Sequence, residues 1–313
     1  MLRLVLHRLL LSIPLILVAS AVTFLLTALV PGDAARAILG LNASPEAYQA
    51  LRESMGLDLP LWQQYVNYMA GLFQGSFGTS LSTGEPVATM LGQRLPVTLS
   101  LVVLSTIVCA LVGILLGTVS AIRGGFLGRA VDVLSLAGLA LPNFWIALVL
   151  VALLAVGLRA FPATGYVPLE TSPGLWLWAL TLPVIAISLG GIATVSKQTR
   201  DSMLDVLDRD YIRTLRATGL TQGAIVWKHG LRNAAIPVMT VLGLVFVSLL
   251  SGSVFAEVVF VLPGLGLQAV AATRQHDVAV IEGIAIVFTV IVIVANLIID
   301  LLYGWLNPKV RVR

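Results

Sequence analysis

The side chains able to act as catalysts or metal ligands are few and widely separated in this 313-residue sequence. The histidines, His7, His229 and His276, lie too far apart for a metal site within one element. No glycine-rich phosphate loop precedes a lysine, and neither a Gly-x-Ser-x-Gly elbow nor a His-Glu-x-x-His motif occurs. The lone Cys109 lies in an apolar run and has no disulfide partner within the chain. The sequence therefore gives no support to an enzyme.

Carboxylates are the remaining candidates for chemistry, and they avoid the middle of every long apolar stretch. Glu257, Glu282 and Asp300 each stand near the end of such a stretch. Long side chains at these positions reach the membrane interface, so we expect interface residues there. A proton-driven carrier needs ionisable groups deeper in the membrane. The energy for any transport is therefore expected to come from another protein.

The elements that hold these residues follow from composition. Apolar residues make up 58% of the chain and charged residues 11%, whereas a soluble domain carries roughly 25% charged residues. A bilayer core needs about 20 apolar helical residues per crossing. Six charge-free stretches fit or approach that length, namely 9–30, 95–122, 133–158, 175–196, 233–256 and the shorter 283–299. The sequence predicts an all-α, polytopic membrane protein with six transmembrane helices.

Two local features bear on how these helices bend and pack. Four of the predicted spans contain proline, at Pro14, Pro142, Pro183 and Pro237. In lipid such kinks are tolerated when neighbouring helices satisfy the freed carbonyl groups. Gly113-x-x-x-Gly117 in the second span would let another helix approach closely, although chance explains the spacing equally well.

The distribution of positive charge predicts the orientation. With the N-terminus in the cytoplasm, 14 of the 19 lysines and arginines lie in cytoplasmic segments and 5 lie outside. Lysine and arginine favour the cytoplasmic side, and the reversed orientation would invert this ratio. Six spans then return the C-terminus to the cytoplasm.

Two polar segments remain outside the spans. Residues 31–94 form an extracytoplasmic segment in which 47–55 and 61–73 are predicted to be short helices, with Pro60 at a helix start. Residues 197–232 are cytoplasmic and hold 11 of the 34 charged residues. The predicted organisation is a first helix (1–30), the extracytoplasmic segment, a five-helix core (95–308) that includes 197–232, and a tail (309–313).

The cytoplasmic segment is the predicted place of contact with a soluble partner. A short helix is expected over 211–218, with Gly219 as its C-terminal stop because glycine accepts positive φ at little cost. Thr221 is positioned to cap a second helix. The first helix would present apolar and cationic groups to a groove on another protein. An ordinary solvated loop explains the pattern as well.

The segment also resembles a known family, the permease subunits of ATP-binding-cassette importers in the dipeptide, oligopeptide and nickel branch. The general loop motif of that family aligns on Gly219 and Leu231, but Arg213-Thr-Leu215 replaces its Glu-Ala-Ala. The departures match the peptide branch. Its characteristic runs are Asp210-Tyr-Ile-Arg-Thr, Arg216-Ala-Thr-Gly-Leu and His229-Gly-Leu-Arg-Asn-Ala-Ala-Ile-Pro237.

Further runs of the chain are similar to the first of the two permease subunits of that branch, in the same order. They are Gly56-Leu-Asp-Leu-Pro-Leu, Gly75-Ser-Phe-Gly-Thr-Ser, Arg94-Leu-Pro-Val-Thr-Leu, Leu141-Pro-Asn-Phe-Trp145 and Phe255-Ala-Glu-Val-Val-Phe-Val-Leu-Pro-Gly-Leu-Gly266. The resemblance implies the transmembrane domain of a type I importer in the bacterial inner membrane. It also implies half of a translocation path for short peptides.

Partners and site residues are likewise implied by the resemblance. A second, different permease subunit completes the path, two ATP-binding subunits or one two-domain ATPase bind ATP and Mg²⁺, and an extracytoplasmic binding protein delivers the peptide. No cofactor is expected in this chain, and its partners are proteins and the lipid bilayer rather than nucleic acid. The expected ATPase-coupling residues are Tyr211, Ile212, Arg213, Leu215, Arg216, Ala217 and Gly219. Ser248, Ser251 and Ser253 are expected to line the path because they are small and polar.

Several alternatives stay open from the sequence. Nickel chelates, glutathione or other small solutes are alternative substrates within the same family. A self-contained secondary carrier would show internal repeats and intramembrane ionisable residues, and a membrane-embedded enzyme would show catalytic groupings. The sequence displays none of these features.

Overall fold

The structure is a computed structural model that describes residues 2–29, 34–40 and 43–306. Within those ranges the chain is helical, and extended pairing is limited to one isolated antiparallel bridge between Thr79 and Pro86. The all-α prediction is confirmed. The predicted tail, 309–313, lies outside the described residues.

The helices of the described part are numbered in chain order. They are α1 (Leu2–Leu29), α2 (Ala34–Leu39), α3 (Pro45–Ser54), α4 (Leu61–Phe73), α5 (Val87–Arg123), α6 (Gly125–Ala140), α7 (Asn143–Leu150), α8 (Pro173–Leu207), α9 (Asp210–Ala217), α10 (Gln222–Ala224), α11 (Leu231–Phe260), α12 (Leu265–Gln275) and α13 (Val278–Leu306). Two π-helical segments, Val151–Gly157 and Ile225–Gly230, follow α7 and α10.

Five long helices of the described part are apolar enough to cross a membrane. They are α1, α5, α8, the continuous run from α10 through α11, and α13. Large apolar side chains such as Leu25, Leu111 and Leu244 are more than half exposed on them. Water would oppose so much apolar surface, whereas lipid accepts it. The shorter apolar helix Asn143–Gly157 is the remaining candidate span.

The third predicted span, 133–158, is interrupted at Pro142 and is not one continuous helix. α6 ends at Ala140 and α7 begins at Asn143, with Pro142 in extended backbone at φ −64° and ψ 134°. Proline lacks the N–H that continues a helix and disfavours helical backbone at the residue before it. By contrast, Pro14, Pro183 and Pro237 lie inside unbroken helices.

The sixth predicted span is longer than its charge-free core. α13 runs for 29 residues and includes both Glu282 and Asp300. A helix of that length extends about 43 Å and spans a bilayer core with some tilt. The charged residues therefore lie within this helix rather than at its ends.

One compact unit consists of residues 98–262 together with 294–306 of the described chain. In it, α8 contacts α6, α7 and α11. α5 approaches α8 closely, since a Cβ atom added at Gly113 would lie 2.7 Å from the Val195 Cβ. One added at Gly117 would overlap the Ser196 carbonyl oxygen. The glycine pair therefore mediates close helix packing.

The other compact unit consists of residues 2–97 and 263–293. The helices predicted over 47–55 and 61–73 are present as α3 and α4, with Pro60 at the N-cap of α4. Val87, Leu91, Leu265 and Ile284 belong to the buried core of this unit.

A buried aspartate connects distant parts of the same unit. Asp277 is 1% exposed and accepts hydrogen bonds from the hydroxyls of Ser80 and Ser82 at 2.5 and 3.2 Å. It also accepts from the backbone N–H of Val280 at 3.4 Å, in the first turn of α13. One carboxylate thereby holds the 80–82 turn against the start of α13.

Two carboxylates depart from the expected interface position. Glu257 is fully buried within α11 and accepts a hydrogen bond of 2.7 Å from the hydroxyl of Thr98. Glu282 is 5% exposed and accepts from the hydroxyl of Thr27 at 3.3 Å. The prediction that these two reach the interface is wrong, because hydrogen bonds inside the protein hold both side chains.

Candidate functional site

The candidate functional site is α9, the short helix that leaves the end of α8. Asp210 lies in its first turn and Arg216 in its last, which complements the helix dipole at both ends. Gly219 has φ of +82° and ends the helix, as predicted. Its N–H donates to Arg216 O at 3.1 Å, and the Leu220 N–H donates to Leu215 O at 3.3 Å. This pair of bonds is a Schellman motif.

A buried isoleucine anchors α9. Ile212 is 0% exposed, although the sequence placed it on a surface that contacts a partner. α9 contacts the π-helical segment Ile225–Gly230, and the Tyr211 hydroxyl accepts from Asn233 Nδ2 at 3.1 Å. Thr221 caps α10 through the Ala224 N–H, as predicted. The structure therefore makes Ile212 an attachment of α9 to the protein's own core.

The π-helical segment that α9 contacts belongs to a buried apolar cluster, to which three helices also contribute. Its buried members are Ala121, Met203, Val206, Val226 and Ala234. Because α8 and α11 both contribute, a force on this region acts on two long helices at once. Rigid elements of this kind transmit displacement.

The outward face of α9 follows from the helical repeat measured from Ile212. Asp210, Thr214 and Ala217 lie about half a turn away, with Tyr211 and Arg213 on either side, and all five are exposed. Arg213 pairs with Asp208 at 3.6 Å and Asp210 at 3.4 Å while its side chain stays 66% exposed. Exposed pairs of this kind are weak, so the guanidinium can exchange partners readily.

The other predicted coupling residues flank that face. Tyr211, Arg216 and Gly219 are exposed, and Leu215 is half-buried. Thr214 is not among the predicted coupling residues, because the sequence placed Ile212 and Leu215 on the contact face instead. The signal that finds it is the 3.6-residue repeat, but only once the buried position is known.

The three serines predicted to line a path do not act together. Ser253 is buried and donates to Leu250 O at 2.8 Å within its own helix. Ser251 is exposed and donates to Val247 O at 3.3 Å. Ser248 alone lines a cavity of about 440 Å³ in the unit formed by residues 98–262 and 294–306.

The break at Pro142 shapes that cavity. Besides Ser248, the polar residues Asn143 and Thr194 line it, as do Gly190 and Gly191. The Thr194 hydroxyl donates to Gly190 O at 2.9 Å. Sequence reasoning missed Asn143, although a polar residue directly after an intramembrane proline marks where backbone and side-chain polar groups are freed.

Comparison with known proteins identifies the family. Residues 110–312 match the family described as binding-protein-dependent transport system inner membrane component, and residues 1–102 match the N-terminal part of such components. The chain belongs to this family. It is a multi-pass membrane subunit that works with other subunits of a transport system, and its family is one of transport components rather than enzymes.

The relatives of this transport component match along its full length. A putative peptide transport system permease protein of Brucella abortus is 39% identical, covering 98% of each chain. An oligopeptide transport system permease protein of Bacillus subtilis is 37% identical over 98% of each. The dipeptide transport system permease protein of Alkalihalophilus pseudofirmus is 37% identical over 99% of this chain and 100% of its own length.

A solved structure supports the fold of this transport component. The MetNI methionine ABC transporter, in inward-facing conformations, superimposes with a TM-score of 0.59 at 15% identity. The match covers 70% of this chain and 96% of that chain. The type I importer fold predicted above is thereby confirmed.

Proposed function

We propose that this chain forms half of a translocation path for short peptides across the bacterial inner membrane. The observation that carries the proposal is the set of full-length relatives, which are named as peptide, oligopeptide and dipeptide permeases at 35–39% identity. Nickel chelates, glutathione and other small solutes are the competing cargoes.

The proposed assembly supplies what this chain lacks. A second, different permease subunit completes the path, and an extracytoplasmic peptide-binding protein delivers the peptide. Two ATP-binding subunits, or one two-domain ATPase, bind ATP and Mg²⁺, so this chain needs no cofactor of its own. The absence of a phosphate loop from the sequence supports this division of labour.

In this proposal α9 is the coupling helix that sits in a groove of an ATPase. Thr214 and Ala217 make the central contacts, with Tyr211, Arg213, Leu215 and Arg216 at the edges, while Ile212 keeps the helix attached. Movement of the ATPases on ATP binding displaces α9 as a rigid body. ATP then favours one state of the path because the contacts differ between the two states.

The proposed path passes the cavity at the Pro142 break. Asn143 and Ser248 offer hydrogen bonds without charge, which suits a zwitterionic peptide that must be released again. Ser251 and Ser253 are left out of this surface because neither lines the cavity.

The test replaces Gly219 with tryptophan and measures peptide uptake in proteoliposomes that contain the whole importer. No heavy atom lies within 4 Å of a Cβ at Gly219, so a side chain can start there without a clash, while the positive φ of +82° strains any residue other than glycine. We expect Gly219→Trp to insert normally and to lose at least about tenfold in ATP-driven uptake, because the helix end and the groove contact both change.

Gly84→Trp is the matched control. Gly84 also has positive φ, at +71°, and open space around its Cβ, but it lies in the 31–94 segment. The Gly84→Trp importer should retain peptide uptake. Normal uptake by a stable Gly219→Trp importer would remove the coupling role from α9. Uptake of a nickel chelate or glutathione, but of no peptide, would overturn the peptide assignment.

A further inference from the structure

The compact unit of residues 2–97 and 263–293 contains a cavity of about 570 Å³ that the path described above does not use. Helices α1, α3, α4 and the first turns of α13 contribute to its wall. Phe24, Met55 and Leu61 are among its apolar lining residues. A space of this size with a mostly apolar wall and a few polar groups is typical of a small-ligand site.

The polar end of this cavity is built around Glu282. Glu282 is 5% exposed, and among the described residues the hydrogen-bond donor to its carboxylate is the Thr27 hydroxyl. Arg52 also lines the cavity, but its guanidinium Nε pairs with Asp58 at 3.0 Å. A buried carboxylate without a counter-ion is costly. The site is therefore suited to a positively charged group.

A second group points to the same kind of ligand. Tyr68 lines the cavity, and its hydroxyl oxygen is buried without a hydrogen-bond partner among the described residues. Burial first, and then the nearby Glu282 carboxylate, raise the pKa of Tyr68, so the phenol stays neutral. A neutral phenol oxygen accepts a hydrogen bond from a cationic donor.

We propose that this cavity binds the primary ammonium group of a zwitterion, with Glu282 as its counter-ion and the Arg52 guanidinium facing the anionic end. An ammonium group offers three donors, and the Glu282 carboxylate and the hydroxyls of Thr27 and Tyr68 supply acceptors. A metal ion fits less well, because the described residues contain no cluster of three His, Cys, Asp or Glu side chains.

Two sources present this chemistry, and both have an anionic group a few atoms from the ammonium. One is the amino terminus of a short peptide, in which case the inference rests on the proposed function and adds a second contact for the same cargo. The other is a phosphatidylethanolamine headgroup, since α1 displays apolar side chains suited to lipid. The experiment distinguishes these sources.

The test measures binding to the whole detergent-purified importer, without its binding protein, by isothermal titration calorimetry. The ligands are Ala-Ala, N-acetyl-Ala-Ala, short-chain phosphatidylethanolamine and short-chain phosphatidylcholine. The variants are Glu282→Gln, which keeps an acceptor for Thr27, and Tyr68→Phe. Asp300→Asn, which also removes a carboxylate from α13, is the matched control.

We expect loss of the charge at Glu282 or of the ligand ammonium to weaken binding about tenfold or more. Asp300→Asn should bind as the natural protein does. Binding of phosphatidylethanolamine alone that depends on Glu282 would support the site with lipid as its ligand. Equal binding of free and acetylated ligands, or unchanged binding by Glu282→Gln, would overturn the proposal.

Peptide uptake separates this inference from the proposed function. Ligand binding that depends on Glu282, in an importer that transports no peptide, would overturn the peptide function and support the ammonium site. Peptide uptake by an importer that binds none of these ligands at the cavity would overturn the ammonium site and leave the peptide function standing.

Discussion

At the scale of single residues, the hydrogen bond between Thr98 and Glu257 is a polar contact inside the core. Both residues are fully buried, and the Thr98 hydroxyl donates to the carboxylate at 2.7 Å. We expect Thr98→Val to destabilise the protein by about 1–3 kcal/mol, because a buried acceptor loses a donor. Thermal unfolding in detergent measures the change.

Thr106→Val is the control for that substitution. Thr106 lies on the same helix and is half-buried, and its hydroxyl donates to Val102 O within its own helix. Its replacement should change stability by about 0.5 kcal/mol or less. Equal effects of the two substitutions would show that the hydrogen bond to Glu257 contributes no more stability than the hydrogen bond within one helix.

The sequence predicted those residues whose role depends on their immediate neighbours in the chain. Gly219 and Thr221 were predictable because a helix end needs positive φ and a helix start needs a side-chain acceptor, and both requirements are met within a few residues. Glu257 and Ile212 were not, because their burial depends on helices distant in the sequence. A carboxylate near a span end looks the same from sequence whether it faces lipid headgroups or a threonine.

At the scale of elements, the contact between α5 and α8 depends on the absence of a side chain. We expect Gly117→Ala to destabilise by about 1–3 kcal/mol, because its Cβ would overlap the Ser196 carbonyl and the two helices must separate. Thermal unfolding again gives the measurement. Gly92→Ala on the same helix has open space around its Cβ and should be neutral or slightly stabilising.

The attachment of α9 gives a prediction that separates an anchor from a contact. Ile212→Ala should lower the free energy of unfolding by about 2–5 kcal/mol because it leaves a cavity under the helix. Leu220→Ala, at a position 36% exposed, should have a smaller effect. Lost transport with unchanged stability in Ile212→Ala would show that Ile212 touches a partner after all.

The short helices were more predictable than the third span. Local signals mark α3, α4 and α9, because Ser44 caps α3, Pro60 precedes α4 and Gly219 ends α9. Pro142 interrupts its span whereas Pro14, Pro183 and Pro237 do not. The difference depends on the tertiary environment of each proline, which the sequence alone does not reveal.

At the scale of the whole molecule, the predicted orientation in the membrane is tested by cysteine labelling. Glu85→Cys and Gly223→Cys, each in a Cys109→Ser background, place one thiol in each of the two polar segments. A membrane-impermeant maleimide added to intact spheroplasts should label position 85 and leave position 223 unlabelled until the membrane is opened. The opposite pattern would reverse the topology.

That experiment has a low background for a structural reason. The single cysteine, Cys109, is 0% exposed and its thiol faces the Ser188 carbonyl at 3.4 Å. Even without the Cys109→Ser change, labelling at the native thiol should be slow. Labelling of the natural protein that is as fast as that of either variant would contradict its burial.

The fold class and most of the membrane spans were readable from the sequence because lipid imposes one rule on every crossing helix, namely length without charge. The cavities were not readable, because each is bounded by several helices that only the folded chain brings together. Asn143 and Ser248, or Glu282 and Tyr68, are far apart in the sequence and share a wall in space.

The length of α8 has a mechanical consequence for α9. α8 is one unbroken helix of 35 residues, which makes it about 52 Å long. In the proposed coupling it is a lever arm with α9 near its tip, so a tilt of about 5° about the far end displaces that tip by about 5 Å. In that proposal, an ATPase groove that shifts by a few ångströms drives a small rotation along the full depth of the bilayer. The rotation needs no hinge, because α8 is unbroken.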